Sequence, residues 1–121
     1  MGKTVLVVDD SASLRQVVSL TLSGAGYDVL EACDGKDALA KAAGQKIHLI
    51  ISDVNMPNMD GLTFVREVKK NPTYKFTPVI MLTTESGDDK KKSGQEAGAK
   101  AWVVKPFQPQ QMLAAVSKLL M

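Results

Sequence analysis

The chain alternates between short apolar runs and segments in which apolar residues recur at helical spacing. The apolar runs are rich in β-branched residues, which favours strands. Three of them are nearly continuous, as in strands that are covered on both faces. The five predicted strands are Thr4–Val8, Val29–Glu31, Ile47–Ser52, Pro78–Leu82 and Ala101–Val104.

Between the strands, apolar residues are three and four positions apart, which predicts amphipathic helices. The pattern is clear in Leu14–Leu22, Leu62–Val68 and Met112–Leu120, and the segment 35–43 is alanine-rich and helical by propensity. Ser86–Ala99 contains three consecutive lysines and is the weakest helical pattern. Five β–α units in series predict an α/β fold, with a parallel sheet that carries helices on both faces.

Polar residues follow four of the five predicted strands, and the second strand leads to nothing notable. Asp9 and Asp10 follow the first strand, Asp53 the third, Thr83 the fourth and Lys105 the fifth. In an open parallel sheet, ligands bind beyond the carboxyl ends of the strands. We therefore expect three carboxylates, a hydroxyl and an ammonium group at one rim of the sheet.

Three carboxylates at one rim would repel one another and raise one another's pKa unless a cation lies between them. A small set of oxygen ligands suits Mg²⁺, which also accepts phosphate oxygens. Cys33 and His48 are isolated, which disfavours zinc and copper. With a metal beside Asp53, Lys105 and Thr83 could hold further phosphoryl oxygens. Phosphoryl transfer demands little beyond such positioning and charge neutralisation.

Each of these residues also has a purely structural explanation when it is taken alone. Asp9 or Asp10 can cap the first helix, in competition with Ser11. Thr83 can be an ordinary hydroxyl at a strand end. We assign Asp60 to the cap of the helix that begins at the next residue. A functional site is favoured because all of these candidate residues are expected at the same edge of the sheet.

Composition and charge are those of one ordinary globular domain, and we expect a single domain over residues 1–121. A chain of this length can bury roughly two-thirds of its unfolded surface. The net charge of +2 is too small to predict a nucleic-acid partner or a membrane surface. The single cysteine, the short apolar start and the lack of a long apolar run predict a cytoplasmic protein without membrane insertion.

Four short motifs, in order and at matching spacing, resemble the receiver domains of bacterial two-component response regulators. They are Val-Val-Asp-Asp-Ser at 7–11, Ser-Asp-Val-Asn-Met-Pro-Asn-Met-Asp-Gly at 52–61, Met-Leu-Thr-Thr at 81–84 and Lys-Pro-Phe at 105–107. The similarity covers essentially the whole chain and is greatest to the single-domain chemotaxis regulators of the CheY-like group. It implies a flavodoxin-like three-layer sandwich with a doubly wound, five-stranded parallel sheet in the order 2-1-3-4-5.

The resemblance also implies which residues bind the metal and accept the phosphoryl group. Asp53 matches the phosphorylated aspartate, which is also one of the Mg²⁺ ligands. Asp10 matches a direct Mg²⁺ ligand, and Asp9 matches the neighbouring acid that acts through water. The backbone carbonyl of Asn55 matches the position that completes the protein ligands.

Further matches concern how the phosphoryl state is held, reported and lost. Thr83 matches the hydroxyl that follows the phosphoryl group, and Lys105 the lysine that pairs with it. Trp102 stands where the family usually has the tyrosine or phenylalanine of an aromatic switch, and an indole that fills a groove explains it nearly as well. Asn55 and Glu85 match positions that tune the phosphoryl lifetime. Both could admit water, so we expect a short-lived state.

Three classes of function compete for these residues. The leading one is a stand-alone response regulator, which catalyses its own phosphorylation and dephosphorylation but is not an enzyme with an external substrate. An aspartate-nucleophile phosphatase would need a second aspartate where Asn55 stands. A flavin- or nucleotide-binding module would need groups that cradle phosphate after the first strand, where Asp9 and Asp10 would repel it.

The leading function implies specific partners. A histidine kinase would supply the phosphoryl group, and a protein target would dock on Ser86–Ala99, the last strand and the closing helix. A phosphatase is a further expected partner. We expect the pathway to be chemotaxis or flagellar motor control, and we expect the protein to be a monomer. No DNA-binding output is expected, since no residues follow Met121.

Overall fold

Five strands and four helices form within the part of the chain that the computed structural model describes, which is residues 3–54, 59–83, 99–104 and 107–120. In chain order the elements are β1 (Thr4–Val8), α1 (Ala12–Gly24), β2 (Asp28–Ala32), α2 (Gly35–Ala42), β3 (Leu49–Asp53), α3 (Gly61–Lys70), β4 (Val79–Thr83), β5 (Ala101–Val104) and α4 (Pro109–Leu119). The predicted helix over Ser86–Ala99 lies outside these ranges except for Ala99.

All five strands pair in parallel in one sheet, in the order β2-β1-β3-β4-β5. This order confirms the predicted doubly wound fold. The predicted bounds of β1 and β5 agree with the structure, whereas β2, β3 and β4 differ by one or two residues. β3 begins at Leu49 rather than Ile47, and the preceding His48 ring accepts the Thr4 amide through Nδ1 at 2.9 Å. Ile47 is buried but does not belong to β3. Its apolar character therefore reflects burial and does not indicate where the strand begins.

Helices cover both faces of the sheet, which makes the sheet the middle of three layers. On one face α1 and α4 pack against the sheet through side chains such as Leu22 and Met112. On the other face α2 and α3 do so through side chains such as Ala38 and Phe64. The outer strands β2 and β5 are only partly buried, in keeping with their place at the edges. None of the described helices is long and apolar enough to span a bilayer.

Two helix ends show how short-range chemistry sets the elements. α1 ends at Gly24, and Gly26 follows with φ of 95°, a left-handed conformation that glycine adopts without steric cost. Asp60 caps α3 as predicted, because its Oδ1 accepts the Thr63 amide at 2.9 Å. That hydrogen bond also holds the pKa of the Asp60 carboxyl below its usual value.

Gly61 begins α3 directly against the end of β3. Its amide donates to the Val54 carbonyl at 2.8 Å. A Cβ on Gly61 would lie 2.0 Å from the carbonyl oxygen of Asp53, far inside van der Waals contact. Since that neighbour is backbone, it cannot turn aside as a flexible side chain would. Gly61 therefore allows α3 to approach the strand end at which the predicted site lies.

We expect Gly61→Ala to lower the free energy of unfolding by about 1–3 kcal/mol, the usual cost of overpacking, because the new methyl group meets the Asp53 backbone. Urea unfolding would measure this difference. Gly24→Ala is the matched control, since a Cβ at Gly24 meets nothing within 4 Å. It should unfold at the wild-type midpoint or slightly above it. Equal destabilisation by the two substitutions would contradict the steric explanation.

Candidate metal centre

The register of β1 and β3 places Asp9 beside Asp53. Val8 pairs with Ser52, so the residues that follow them lie side by side at the carboxyl edge of the sheet. Asp10 comes next, before α1 begins. One carboxylate oxygen from each of the three aspartates can be chosen so that all lie within 4.8 Å of one another. The structure thus brings together the three carboxylates that the sequence places at this rim.

Two of the three carboxylates are almost inaccessible to solvent. Asp9 is 1% exposed and Asp53 is 5% exposed, whereas Asp10 is open to solvent. Burial of a carboxylate is unfavourable unless hydrogen bonds or a cation compensate for it. The Ser11 amide supplies part of this compensation by donating to Asp9 Oδ1 at 2.8 Å. A dense group of hard oxygen donors with one exposed member suits Mg²⁺, which binds few protein ligands and keeps several waters.

Neither Asp9 nor Asp10 caps α1. Ser11 is the N-cap, and its Oγ accepts the Leu14 amide at 3.3 Å. The structural alternative for the two aspartates, that one of them caps this helix, is therefore wrong. Both carboxylates belong to the rim.

Arg15 anchors the backbone of this rim, and sequence analysis did not identify it. Its Nη1 donates to the Asp9 carbonyl at 2.6 Å, and its Nε pairs with Glu31 Oε1 at 3.2 Å. A cation near the start of a helix opposes the helix dipole, so an arginine five residues after Asp10 was an available signal. Glu31 belongs to β2, so the second strand, after which the sequence places no candidate residue, supports the site through Arg15.

The other predicted site residues are only partly described. Asn55, Glu85 and Lys105 lie outside the described residues. Thr83 is the last residue of β4, where its backbone pairs with Val104 of β5. Its strand therefore ends at the same edge as β3. The roles of these four residues remain predictions.

Trp102 lies on β5 and pairs with Met81 of β4. Its half-buried ring packs against the core cluster on the α2 and α3 face, to which Met81 and Ala99 also belong. The indole Nε1 is buried, and it has no hydrogen-bond partner among the described residues. Its neighbours along the strand pack on the opposite face. The ring therefore faces the layer that contains Ala99, and its role as a switch remains a prediction.

Comparison with known proteins gives consistent matches along this chain. The sequence model of the response regulator receiver domain matches residues 5–117. The solved structure of Vibrio cholerae chemotaxis protein CheY4 superposes with a TM-score of 0.95 at 52% identity, covering 98% of each chain.

Two relatives of different length also match. Chemotaxis protein CheY1 of Helicobacter pylori is 44% identical over 107 residues, which are 87% of this chain and 86% of CheY1. The phosphate regulon transcriptional regulatory protein PhoB of Pseudomonas aeruginosa is 36% identical over 120 residues, which are 99% of this chain and 52% of PhoB. The chain therefore spans about half the length of PhoB but most of CheY1.

We expect Arg15→Gln to weaken Mg²⁺ binding about tenfold, the lower end of the range for residues that orient metal ligands. The physical reason is that the Asp9 carbonyl loses its anchor, so the turn that carries Asp9 and Asp10 loosens. Isothermal titration with MgCl₂ would measure the affinity, and Glu31→Gln, which keeps the Asp9 contact, should have a smaller effect.

The direction in which Arg15→Gln changes the Mg²⁺ affinity shows whether Arg15 acts by positioning the backbone or only through its charge. Removal of a positive charge close to the carboxylates should by itself strengthen cation binding. If Arg15→Gln binds Mg²⁺ as tightly as the wild type or more tightly, Arg15 does not position the site.

Proposed function

Because this chain belongs to the family of response regulator receiver domains, we propose that Asp53 accepts a phosphoryl group from a histidine kinase. The observation that supports this choice is the position of Asp53 at the end of β3. There it is buried and lies within the carboxylate cluster that also contains Asp9 and Asp10. Family membership makes the protein a signalling protein, and this geometry favours Asp53 as the acceptor.

The chemistry assigned to Asp53 is one displacement at phosphorus. A carboxylate oxygen of Asp53 attacks the phosphorus of a phosphohistidine, the P–N bond breaks, the imidazole leaves, and an acyl phosphate forms. Asp9, Asp10, Asp53 and the Asn55 carbonyl would hold Mg²⁺, which when bound neutralises charge on the carboxylates and the phosphoryl oxygens. Water later attacks the phosphorus, the P–O bond to Asp53 breaks, inorganic phosphate leaves and the carboxylate is restored.

Two further residues complete the proposed phosphoryl site. Lys105 pairs with one phosphoryl oxygen, and the Thr83 hydroxyl donates to another. Asn55 and Glu85 are proposed to control how water reaches the acyl phosphate. These roles are supported by the motifs at 81–84 and 105–107 and by the end of β4 at the same sheet edge as Asp53.

We propose that β5 carries the signal to the surface. When the Thr83 hydroxyl turns toward the phosphoryl group, the chain after β4 moves and the space around Trp102 changes. The buried Trp102 Nε1 has no hydrogen-bond partner among the described residues, which is unfavourable and would make the present indole position easier to leave. The proposed docking face for the protein target consists of Ser86–Ala99, β5 and α4.

The proposed pathway is chemotaxis or flagellar motor control. It is supported by CheY1 and CheY4, which are chemotaxis proteins and match over most of both chains. We further propose a receiver domain over residues 1–121, a cytoplasmic location, a monomer and a phosphatase as a second partner.

Acetyl phosphate with Mg²⁺ should add one phosphoryl group to the wild type and none to Asp53→Asn, because an amide oxygen is a poor nucleophile. Intact-mass spectrometry would detect the acid-labile adduct, and EDTA should abolish it. Asp28→Asn is the matched control, since it removes an exposed carboxylate at the start of β2, at the opposite edge of the sheet. A normal adduct on Asp53→Asn would show that another residue is the acceptor.

Thr83→Ala should still be phosphorylated but should lose most of the change in Trp102 emission and most of the gain in target affinity. Coupling of this kind is typically worth about 1–3 kcal/mol, which sets the size of the affinity change. Fluorescence with and without acetyl phosphate would measure the emission change. Thr73→Ala, in the loop after α3, is the control and should respond like the wild type. If Thr83→Ala also responds like the wild type, its hydroxyl does not couple the site to Trp102.

A further inference from the structure

Among the described residues, acidic side chains predominate at the carboxyl edge of the sheet and lysines at the opposite edge, although Arg15 and Lys36 lie at the former and Asp28 at the latter. Acidic residues gather at the carboxyl edge, namely Asp9, Asp10, Glu31, Asp34, Asp37, Asp53 and Asp60. At the opposite edge, the segments 43–48, 71–78 and 99–100 contain no acidic residue. They carry exposed Lys46, Lys75 and Lys100, and Lys69 joins them from the end of α3. We call these four lysines, together with Phe76, the lysine edge.

The members of the lysine edge lie on one continuous surface. Lys69 Nζ donates to the Lys75 carbonyl at 3.2 Å and also to the Thr77 carbonyl. Burial, and then repulsion from Lys100, lowers the pKa of Lys69. Lys46 lies on the other side of Thr77. The residue that follows Lys46 is Ile47, whose carbonyl oxygen accepts a hydrogen bond from Thr77 Oγ1 at 3.5 Å.

None of the four lysines takes part in an ion pair among the described residues. Asp28 lies at the start of β2, and Glu67 is already paired with Lys70 at 3.1 Å. Among the described residues, this edge is therefore more basic than the net charge of +2 indicates.

Phe76 protrudes from this basic surface. Its side chain is 87% exposed, more than any other large hydrophobic side chain that the structure describes. Lys75 Nζ lies 5.6 Å from the centre of the ring. Exposure of a whole aromatic ring to water is unfavourable, so an occupant that covers the ring and neutralises the lysines would relieve both conditions.

We propose that the lysine edge binds an anionic lipid surface, with the Phe76 ring in the headgroup layer and the three exposed lysines, Lys46, Lys75 and Lys100, against lipid phosphates. Aromatic rings favour this layer, and each nearby lysine adds electrostatic attraction to anionic lipids. A protein partner would require an apolar, well-packed core around the aromatic anchor, whereas Phe76 is flanked by Lys75 and Thr77. Single-stranded nucleic acid would require several stacking rings along a groove, and the lysine edge offers one ring.

The topology keeps lipid binding apart from phosphorylation. The two edges are opposite ends of the same strands, about 15 Å apart for strands of this length. A protein that binds lipid through the lysine edge would therefore point Asp9, Asp10 and Asp53 away from the membrane. The phosphoacceptor site would remain accessible, so the two functions can be tested separately.

Co-sedimentation with lipid vesicles would test this proposal. The protein should bind vesicles of phosphatidylcholine mixed with phosphatidylglycerol, and it should not bind vesicles of phosphatidylcholine alone. Lys75→Glu and Phe76→Ser should each weaken binding, the former about tenfold or more because it changes the local charge by two. Lys36→Glu is the matched control, because it makes the same charge change at the start of α2, at the opposite edge. It should bind nearly as well as the wild type.

Several outcomes would overturn the proposal. They are no binding to phosphatidylglycerol vesicles, equal losses in Lys36→Glu and Lys75→Glu, or binding to polyglutamate without binding to vesicles, which would point to an acidic protein partner. Circular dichroism would confirm that the variants at these exposed positions are folded. Asp53→Asn should bind vesicles like the wild type, and Phe76→Ser should accept a phosphoryl group like the wild type. Failure of the phosphoacceptor assignment would therefore leave the vesicle result unaffected.

Discussion

Electrostatic repulsion among Asp9, Asp10 and Asp53 is the constraint on which the rest of this structure depends. The pairing of Val8 with Ser52 places the backbones of Asp9 and Asp53, and so two of these carboxylates, next to each other. The apolar residues of β1, β3 and β4, buried on both faces of the sheet, provide the stability that opposes the repulsion. A local arrangement that is unfavourable by itself and maintained by its surroundings is typical of functional sites.

The surroundings act mainly on the backbone of the rim. The Ser11 amide bonds the Asp9 carboxylate, Arg15 bonds the Asp9 carbonyl, and Gly61 permits α3 to abut the Asp53 carbonyl. The first two contacts come from the start of α1 and the third from the start of α3. Together they fix the peptide groups that carry the carboxylates and leave the exposed Asp10 side open to an ion and a phosphodonor.

Sequence patterns predicted the features that depend on the periodicity of apolar residues. They did not predict contacts between residues that are distant in the sequence. Apolar runs gave the strands, and their parallel arrangement placed the three aspartates at one rim. The place of Arg15 near the start of α1 makes it unusual in the sequence, but no spacing rule reveals that its long side chain pairs with Glu31 of an edge strand. The contact between Gly61 and the Asp53 carbonyl depends on the approach of α3, which the apolar spacing of that helix does not determine. Net charge likewise gives no information on where charges lie.

The excess of acidic residues at one sheet edge and of lysines at the other gives the described part of the molecule an electric dipole along its strands. In the field of a charged partner such a molecule experiences a torque and begins to rotate before contact. A phosphodonor whose histidine lies within a positive rim would turn the carboxylate end toward itself and repel the opposite end. Rotational diffusion would then be biased toward the productive orientation, so the encounter rate would decrease with ionic strength even where the final affinity did not.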